Sequence, residues 1–77
     1  MTGAQLRAAR ALLGWSAQEL ATASGVGVTT IRKNELSDGP VTMINANVEV
    51  ITRAIEAAGV EFTNHGQPGV RMKALGG

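Results

Sequence analysis

Apolar side chains recur every three or four residues along the chain as far as Ala58, which is the spacing of one face of a helix. The longest of these apolar stripes comprises Ile44, Val48, Ile51, Ile55 and Ala58. The pattern predicts four helices, which run from about Gly3 to a cap at Gly14, from a cap at Ser16 to about Ala23, from about Val28 to Leu36, and from near Asn45 to Ala58.

Local capping signals mark the starts of the first two helices. Thr2 is followed three residues later by Gln5, and Ser16 is followed three residues later by Glu19. In such a capping box the hydroxyl accepts a hydrogen bond from a backbone N–H of the first turn, and the longer side chain reaches back to the cap. These two boundaries are therefore predicted from side-chain chemistry as well as from the apolar pattern.

The period of the pattern changes from helical to alternating after Gly59. Val60 and Phe62 alternate with polar residues, and Val70 and Met72 do the same after a turn rich in glycine and proline. This alternation predicts a β-hairpin. Because a lone two-stranded hairpin is only marginally stable in water, it must pack on the helices or pair with another chain.

The elements together predict a mainly α fold, with four helices followed by a C-terminal β-hairpin. We divide the chain into a helical domain at residues 1–59, a hairpin extension at residues 60–73 and a frayed tail at residues 74–77.

Composition limits the class of protein. A chain of 77 residues forms one domain with a modest core, and the absence of cysteine excludes disulfides and thiolate zinc sites. Dimerisation is the remaining simple way to add stability. No apolar run approaches the roughly 18 residues of a membrane span, and the first residues lack the apolar core of a signal peptide. We therefore expect a cytoplasmic protein that does not enter a membrane.

The segment from Ser16 to Leu36 carries the strongest functional signal. Its two short helices are joined by a turn at Ser24, Gly25 and Val26, which places the second helix across the first. A helix projected in this way fits the major groove of DNA.

The same residues resemble a known family. Leu20 and Ala21 in the first of the two helices, Gly25 and Val26 at the turn and Ile31 in the second helix are similar to the motif of the Xre/Cro-type helix-turn-helix regulators, which have the lambda-repressor-like fold. The runs from Leu13 to Leu20 and from Ala54 to Phe62 also resemble short bacterial regulators that phages and mobile elements often encode. The resemblance implies a transcriptional repressor or regulator that binds an operator as a dimer.

Three positions depart from the pattern of that family. Ala17 stands where glutamine is frequent, Gly27 stands where serine usually caps the second motif helix, and Asn34 stands where an apolar residue is usual.

The resemblance implies which positions of the motif contact DNA, and these positions give the residues that we expect to contact it. The expected base contacts are Val28, Thr29, Arg32 and Lys33, and the alternative is a solvated helix face. Arg32 is suited to reading guanine, because its guanidinium can bond both O6 and N7. The expected phosphate contacts are Ser16, Gln18, Thr30, Ser37, Asn45 and Asn47. Arg7 and Arg10 either approach the DNA backbone or form a solubilising face of the first helix.

Charge is distributed unevenly along the chain. The net charge is only +1, but Arg32 and Lys33 are adjacent, while Glu49, Glu56 and Glu61 lie in the distal half. A polarised chain of this kind can still present a basic face to nucleic acid.

The alternating hairpin and the end of the fourth helix exceed what one small core needs. We therefore expect a homodimer interface that contains Ile55, Val60, Phe62, Val70 and Met72. In such a dimer the two motif helices would enter successive major grooves of a pseudo-palindromic site, about 34 Å apart.

No constellation in the sequence suggests catalysis, a metal or a cofactor. His65 is the only histidine and falls in the predicted hairpin loop, where a solvent-facing role is expected. The alternative function is a protein-interaction module, similar to an antiactivator or an antitoxin, that keeps the fold without binding DNA.

Overall fold

The computed structural model describes residues 1–63 and 66–73. The elements are α1 (Gly3–Leu13), α2 (Ala17–Ser24), α3 (Val28–Glu35), α4 (Asn45–Ala57), β1 (Val60–Thr63) and β2 (Gly69–Met72). The predicted mainly α fold with a C-terminal hairpin is confirmed. None of these helices has the length and apolar character that crossing a bilayer requires. The tail predicted at residues 74–77 and the loop position predicted for His65 lie outside the described residues.

Both predicted capping boxes are present. The Thr2 hydroxyl accepts a hydrogen bond from the Gln5 backbone N–H, and the Gln5 side chain accepts one from the Thr2 N–H. Ser16 and Glu19 make the same reciprocal pair at the start of α2. Gly14 ends α1 with a left-handed φ of 68°, a conformation that glycine adopts without steric cost.

The core is aliphatic and is shared by the four helices and β1. The largest side chains that are fully buried are Leu6, Leu20, Ile31, Ile51, Ile55 and Val60. Burial of each such side chain contributes about 1.5–3 kcal/mol to the stability of the fold. Ile31 is the apolar residue that α3 contributes to this core.

Two positions expected in the apolar stripe of the last helix do not belong to it. Ile44 is 69% exposed, and Ala58 is also exposed. Both lie outside the helical turns of α4, as its N-cap and its C-cap, so their side chains do not follow the buried face that Ile51 and Ile55 define.

The hairpin packs one of its faces on the helices. Val60 pairs with Met72 and Phe62 pairs with Val70 across the two antiparallel strands. Ile55 and Val60 have no exposed surface, so the expectation that they form a dimer interface is corrected: they belong to the core of the monomer. Phe62 and Val70 are half-buried, and Met72 is 54% exposed.

The start of α1 lies against the loop that follows α3. The Gly3 N–H donates to the Gly39 carbonyl oxygen at 2.9 Å. A Cβ at Gly3 would overlap the carbonyl oxygens of Ser37 and Asn34. Glycine is therefore required here by the close approach of two backbones.

We predict that Gly3→Ala lowers the free energy of unfolding by about 1–3 kcal/mol, because the two backbones must separate to admit the methyl group. Helix propensity alone would instead raise the free energy of unfolding by about 1 kcal/mol, so the sign of the measured change distinguishes the steric effect from the propensity effect. Urea unfolding measures it. Gly39→Ala is the matched control, since a Cβ there meets only the Ser37 hydroxyl at 3.5 Å. A Gly3→Ala protein as stable as the control would contradict the prediction.

Candidate nucleic-acid interface

The turn between α2 and α3 is held by short-range hydrogen bonds. Gly25 has a left-handed φ of 77°, and its N–H donates to the Ala21 carbonyl oxygen at 2.8 Å. The Ser24 hydroxyl donates to the Leu20 carbonyl oxygen at 2.8 Å and accepts from the Val26 N–H at 3.2 Å. Val26 is buried beneath the turn. These contacts fix the direction in which α3 leaves α2.

The side chains of α3 divide into a buried face and an exposed face. The buried residues are Ile31, Asn34 and Glu35. The exposed residues are Thr29, Arg32, Lys33 and, at the C-cap, Leu36. The exposed positions are separated by three, one and three residues, so they form a single stripe along the helix. This stripe, which we call the outer face of α3, is a continuous surface available to a ligand.

Three of the four residues expected to contact bases lie on the outer face, and the fourth packs partly against the core. Thr29, Arg32 and Lys33 are exposed, whereas Val28 is half-buried and packs against the core. Leu36 is 86% exposed and extends the outer face. The apolar side chain of Leu36 gives no charge signal in the sequence that marks it as a contact residue, although its helical spacing from Thr29 is consistent with a place on this face.

Arg10 fastens the end of α3 to α1. Its Nε and Nη2 donate to the two carboxylate oxygens of Glu35, each at 2.8 Å, and its Nη1 donates to the Trp15 carbonyl oxygen at 3.0 Å. The hydrogen bonds to Glu35 raise the pKa of Arg10 above its ordinary value. Only 8% of the Glu35 side chain is exposed, so loss of Arg10 would leave a buried carboxylate without its partner.

Arg7 holds the chain just after α3. Its guanidinium donates to the Glu35 carbonyl oxygen and to the Asp38 carboxylate. The sequence left two roles open for Arg7 and Arg10, which were contact with the DNA backbone and a solubilising face of α1. The structure shows both guanidinium groups hydrogen-bonded to acceptors of the chain itself. Both use their charge within the chain.

Asn34 secures the following loop from the buried face of α3. Its Nδ2 donates to the Thr30 carbonyl oxygen at 2.9 Å, and its Oδ1 accepts from the Thr42 N–H at 2.7 Å. A buried amide with both ends bonded avoids the cost of an unsatisfied polar group. The polar residue at this usually apolar position thus has a specific structural partner, which the sequence did not reveal.

The ion pairs leave the basic residues of the outer face without acidic partners. The ion pairs found among the described residues are Arg7–Asp38, Arg10–Glu35 and Arg71–Glu61. Within the same residues, Arg32 and Lys33 take part in no ion pair and no side-chain hydrogen bond. Two adjacent cations are therefore exposed on one helix, and no acidic group in the described part of the chain pairs with them.

The expected phosphate contacts lie on three parts of the chain. Ser16 and Gln18 are exposed at the start of α2, where the Ser16 hydroxyl also caps the helix. Asn45 and Asn47 lie in the first turn of α4, the former exposed and the latter half-buried. Thr30 and Ser37 lie on and just after α3: Thr30 is half-buried, and the Ser37 hydroxyl accepts from the Gly39 N–H.

Gly27 starts α3 without a side-chain cap. Its backbone is extended, with φ of −60° and ψ of 139°, and no side chain bonds the free N–H groups of the first turn. A Cβ built at Gly27 meets no atom within 4 Å. The position is therefore compatible with any of the usual capping residues.

Comparison with known proteins agrees with this geometry. A family model described as helix-turn-helix matches residues 6–63, which extend from α1 to the end of β1. No curated protein matches the chain.

We predict that Gly27→Ser raises the free energy of unfolding by about 0.5–1 kcal/mol, because the hydroxyl caps α3 and the unfolded chain loses conformational freedom. The change in urea midpoint measures the gain. Gly27→Ala separates the two contributions, since it lacks the hydroxyl. Equal stability of the serine and alanine variants would show that the capping bond does not form.

Proposed function

Because this chain belongs to the Xre/Cro-type helix-turn-helix family of DNA-binding regulators, we propose that it is a transcriptional repressor that reads an operator through the outer face of α3. The observation that carries the proposal is that Arg32 and Lys33 are exposed, and form no ion pair with residues 1–63 or 66–73, on a helix whose opposite side is buried. Such a helix can enter the major groove without rearrangement of the fold.

Base reading is assigned to the residues of the outer face. The Arg32 guanidinium can donate two hydrogen bonds to O6 and N7 of one guanine, and Lys33 can reach a neighbouring base edge or phosphate. Thr29 and the exposed part of Val28 are suited to contact with a thymine methyl group. Arg32 therefore contributes most of the sequence preference.

Phosphate contacts position the domain on the duplex. The N-terminal turns of α2 and α4 supply backbone N–H groups and a positive helix dipole, beside the polar side chains of that region. The proposed phosphate-contacting residues are Ser16, Gln18, Thr30, Ser37, Asn45 and Asn47. Since none of these six residues is lysine or arginine, binding should weaken only moderately as the salt concentration rises.

A homodimer built on the hairpin would double the basic surface. The apolar residues of the hairpin that keep some exposed surface are Phe62, Val70 and Met72, of which Phe62 and Val70 also pack in part against the core. Pairing of two such surfaces about a two-fold axis would present two copies of α3 to successive major grooves, about 34 Å apart, on a pseudo-palindromic operator. The protein would then act in the bacterial cytoplasm, on the nucleoid.

We predict that Arg32→Ala weakens specific binding by about 1–3 kcal/mol, because the bidentate contact with guanine is lost. A gel shift with the DNA upstream of the protein's own gene measures the change. Arg53→Ala is the matched control, since Arg53 is exposed on α4 and its loss changes the net charge equally.

Equal losses in the two variants would show that Arg32 acts through charge alone and would contradict its role in base reading. If the wild-type protein shifts no fragment and binds a protein partner instead, the domain is a protein-interaction module.

We predict that Met72→Glu converts a dimer at high micromolar concentration into a monomer, because it places a charge in the apolar contact between two hairpins. Sedimentation velocity measures the change. Leu12→Glu is the control, because Leu12 is a similarly exposed apolar residue, 46% exposed, on α1. A wild-type monomer at the same concentration would refute the dimer, and dissociation of both variants would refute the assignment to the hairpin.

A further inference from the structure

Gln5 is a buried amide whose hydrogen bonds join distant parts of the chain. Only 3% of Gln5 is exposed, and its Oε1 accepts from the Thr2 N–H at 2.9 Å. Its Nε2 donates to the carbonyl oxygens of Thr63 at 3.2 Å and Gly69 at 3.0 Å. The capping box accounts for the first bond alone. The two bonds to the hairpin therefore require a separate explanation.

The two acceptors of Gln5 lie opposite one another at the turn end of the hairpin. Thr63 and Gly69 are direct partners in the antiparallel register, so one amide group binds both strands across their last pair. A Cβ at Gly69 would lie 2.9 Å from the Thr63 hydroxyl, which shows how closely the strands approach there. Gln5 thus holds the turn end of the hairpin against α1.

The opposite end of the hairpin is held independently. Val60 is fully buried, and the Lys73 N–H donates to the Gly59 carbonyl oxygen at 2.8 Å. Lys73 also donates from Nζ to the Glu56 carbonyl oxygen at 2.9 Å. Between the two ends, Phe62 and Val70 pack against the core through apolar contacts, which are not directional. Two strands alone have little rigidity, so the turn end depends on directional contacts to keep one orientation. The bonds from Gln5 supply such contacts there.

The helix that contains Gln5 is also hydrogen-bonded to α3. Arg10 lies on α1 and binds Glu35 of α3 through two hydrogen bonds. The orientation of the hairpin relative to the outer face of α3 therefore depends on α1, which is hydrogen-bonded to both. Gln5 makes the hydrogen bonds to the hairpin, and Arg10 makes those to α3.

We propose that Gln5 is a positioning residue that sets the separation of the two α3 helices in the dimer, and hence the spacing of operator half-sites that the protein accepts. The inference rests on the proposed function, because it requires the hairpin to be the dimer contact. With the hairpin rigidly fixed, the distance between the outer faces is fixed too. With Gln5 disabled, apolar packing alone holds the turn end, so the hairpin can tilt on the helices and several distances become accessible.

The test uses Gln5→Glu, which keeps the acceptor for Thr2 and removes the donors to Thr63 and Gly69. The probe is a duplex selected from a random library by the wild-type protein, with base pairs inserted or deleted at its centre. Each insertion shifts one half-site by about 3.4 Å along the axis. We expect an insertion of two base pairs to weaken wild-type binding at least about tenfold, and Gln5→Glu binding less than about threefold.

Two controls separate positioning from stability and charge. Thr2→Ala removes the other half of the capping box and destabilises α1 while leaving the bonds from Gln5 to the hairpin in place. Gln67→Glu makes the same chemical change at an exposed position of the hairpin. Both variants should keep the wild-type spacing preference. A single half-site duplex, which does not sense spacing, should bind Gln5→Glu and wild type equally.

Hydrogen exchange gives a readout without DNA. Backbone amides of β1 and β2 should exchange faster in Gln5→Glu than in Thr2→Ala, while those of α3 remain unchanged. Unchanged spacing preference or unchanged hairpin protection in Gln5→Glu would overturn this proposal alone. A wild-type protein that selects no duplex, or that stays monomeric, would overturn the proposed function and this inference together.

Discussion

The two-point hydrogen bond between Arg10 and Glu35 is the interaction on which the functional surface depends. An isolated helix of eight residues is unstable in water, so α3 needs support from its buried face. Ile31 supplies apolar contact there, and the hydrogen bonds from Arg10 and Arg7 to Glu35 tie the C-terminal end of α3 directionally to α1. The outer face is rigid because the buried face is fastened at several points.

The same arrangement decides which charges are available to a ligand. Arg7 and Arg10 are paired with Asp38 and Glu35, so these cations are engaged within the chain. The basic character of the outer face comes from Arg32 and Lys33, which form no ion pair with any described residue. A net charge of +1 therefore understates the local charge at the proposed interface, because Glu49 and Glu56 lie on α4 and not on α3.

Much of the fold was predictable because it depends on signals between residues that are close in sequence. The rest was not predictable because it depends on contacts between residues that are far apart in sequence. Capping boxes, turn glycines and the alternation of Val60 with Phe62 act over a few residues, so sequence spacing reveals them. The roles of Glu35, Asn34 and Gln5 depend on partners that only the fold brings close, up to 64 residues away. The apolar pattern failed at Ile44 because apolarity alone does not show where a helix begins.

The division of α3 into two faces has an evolutionary consequence. Among the described residues, the side chains of Thr29, Arg32 and Lys33 are exposed, whereas Ile31, Asn34 and Glu35 are buried. On the proposed function, substitutions at the three exposed positions would change the preferred DNA sequence with little effect on folding. Duplicated copies of such a gene could diverge toward new regulatory targets through a few codon changes, while inheriting the same scaffold.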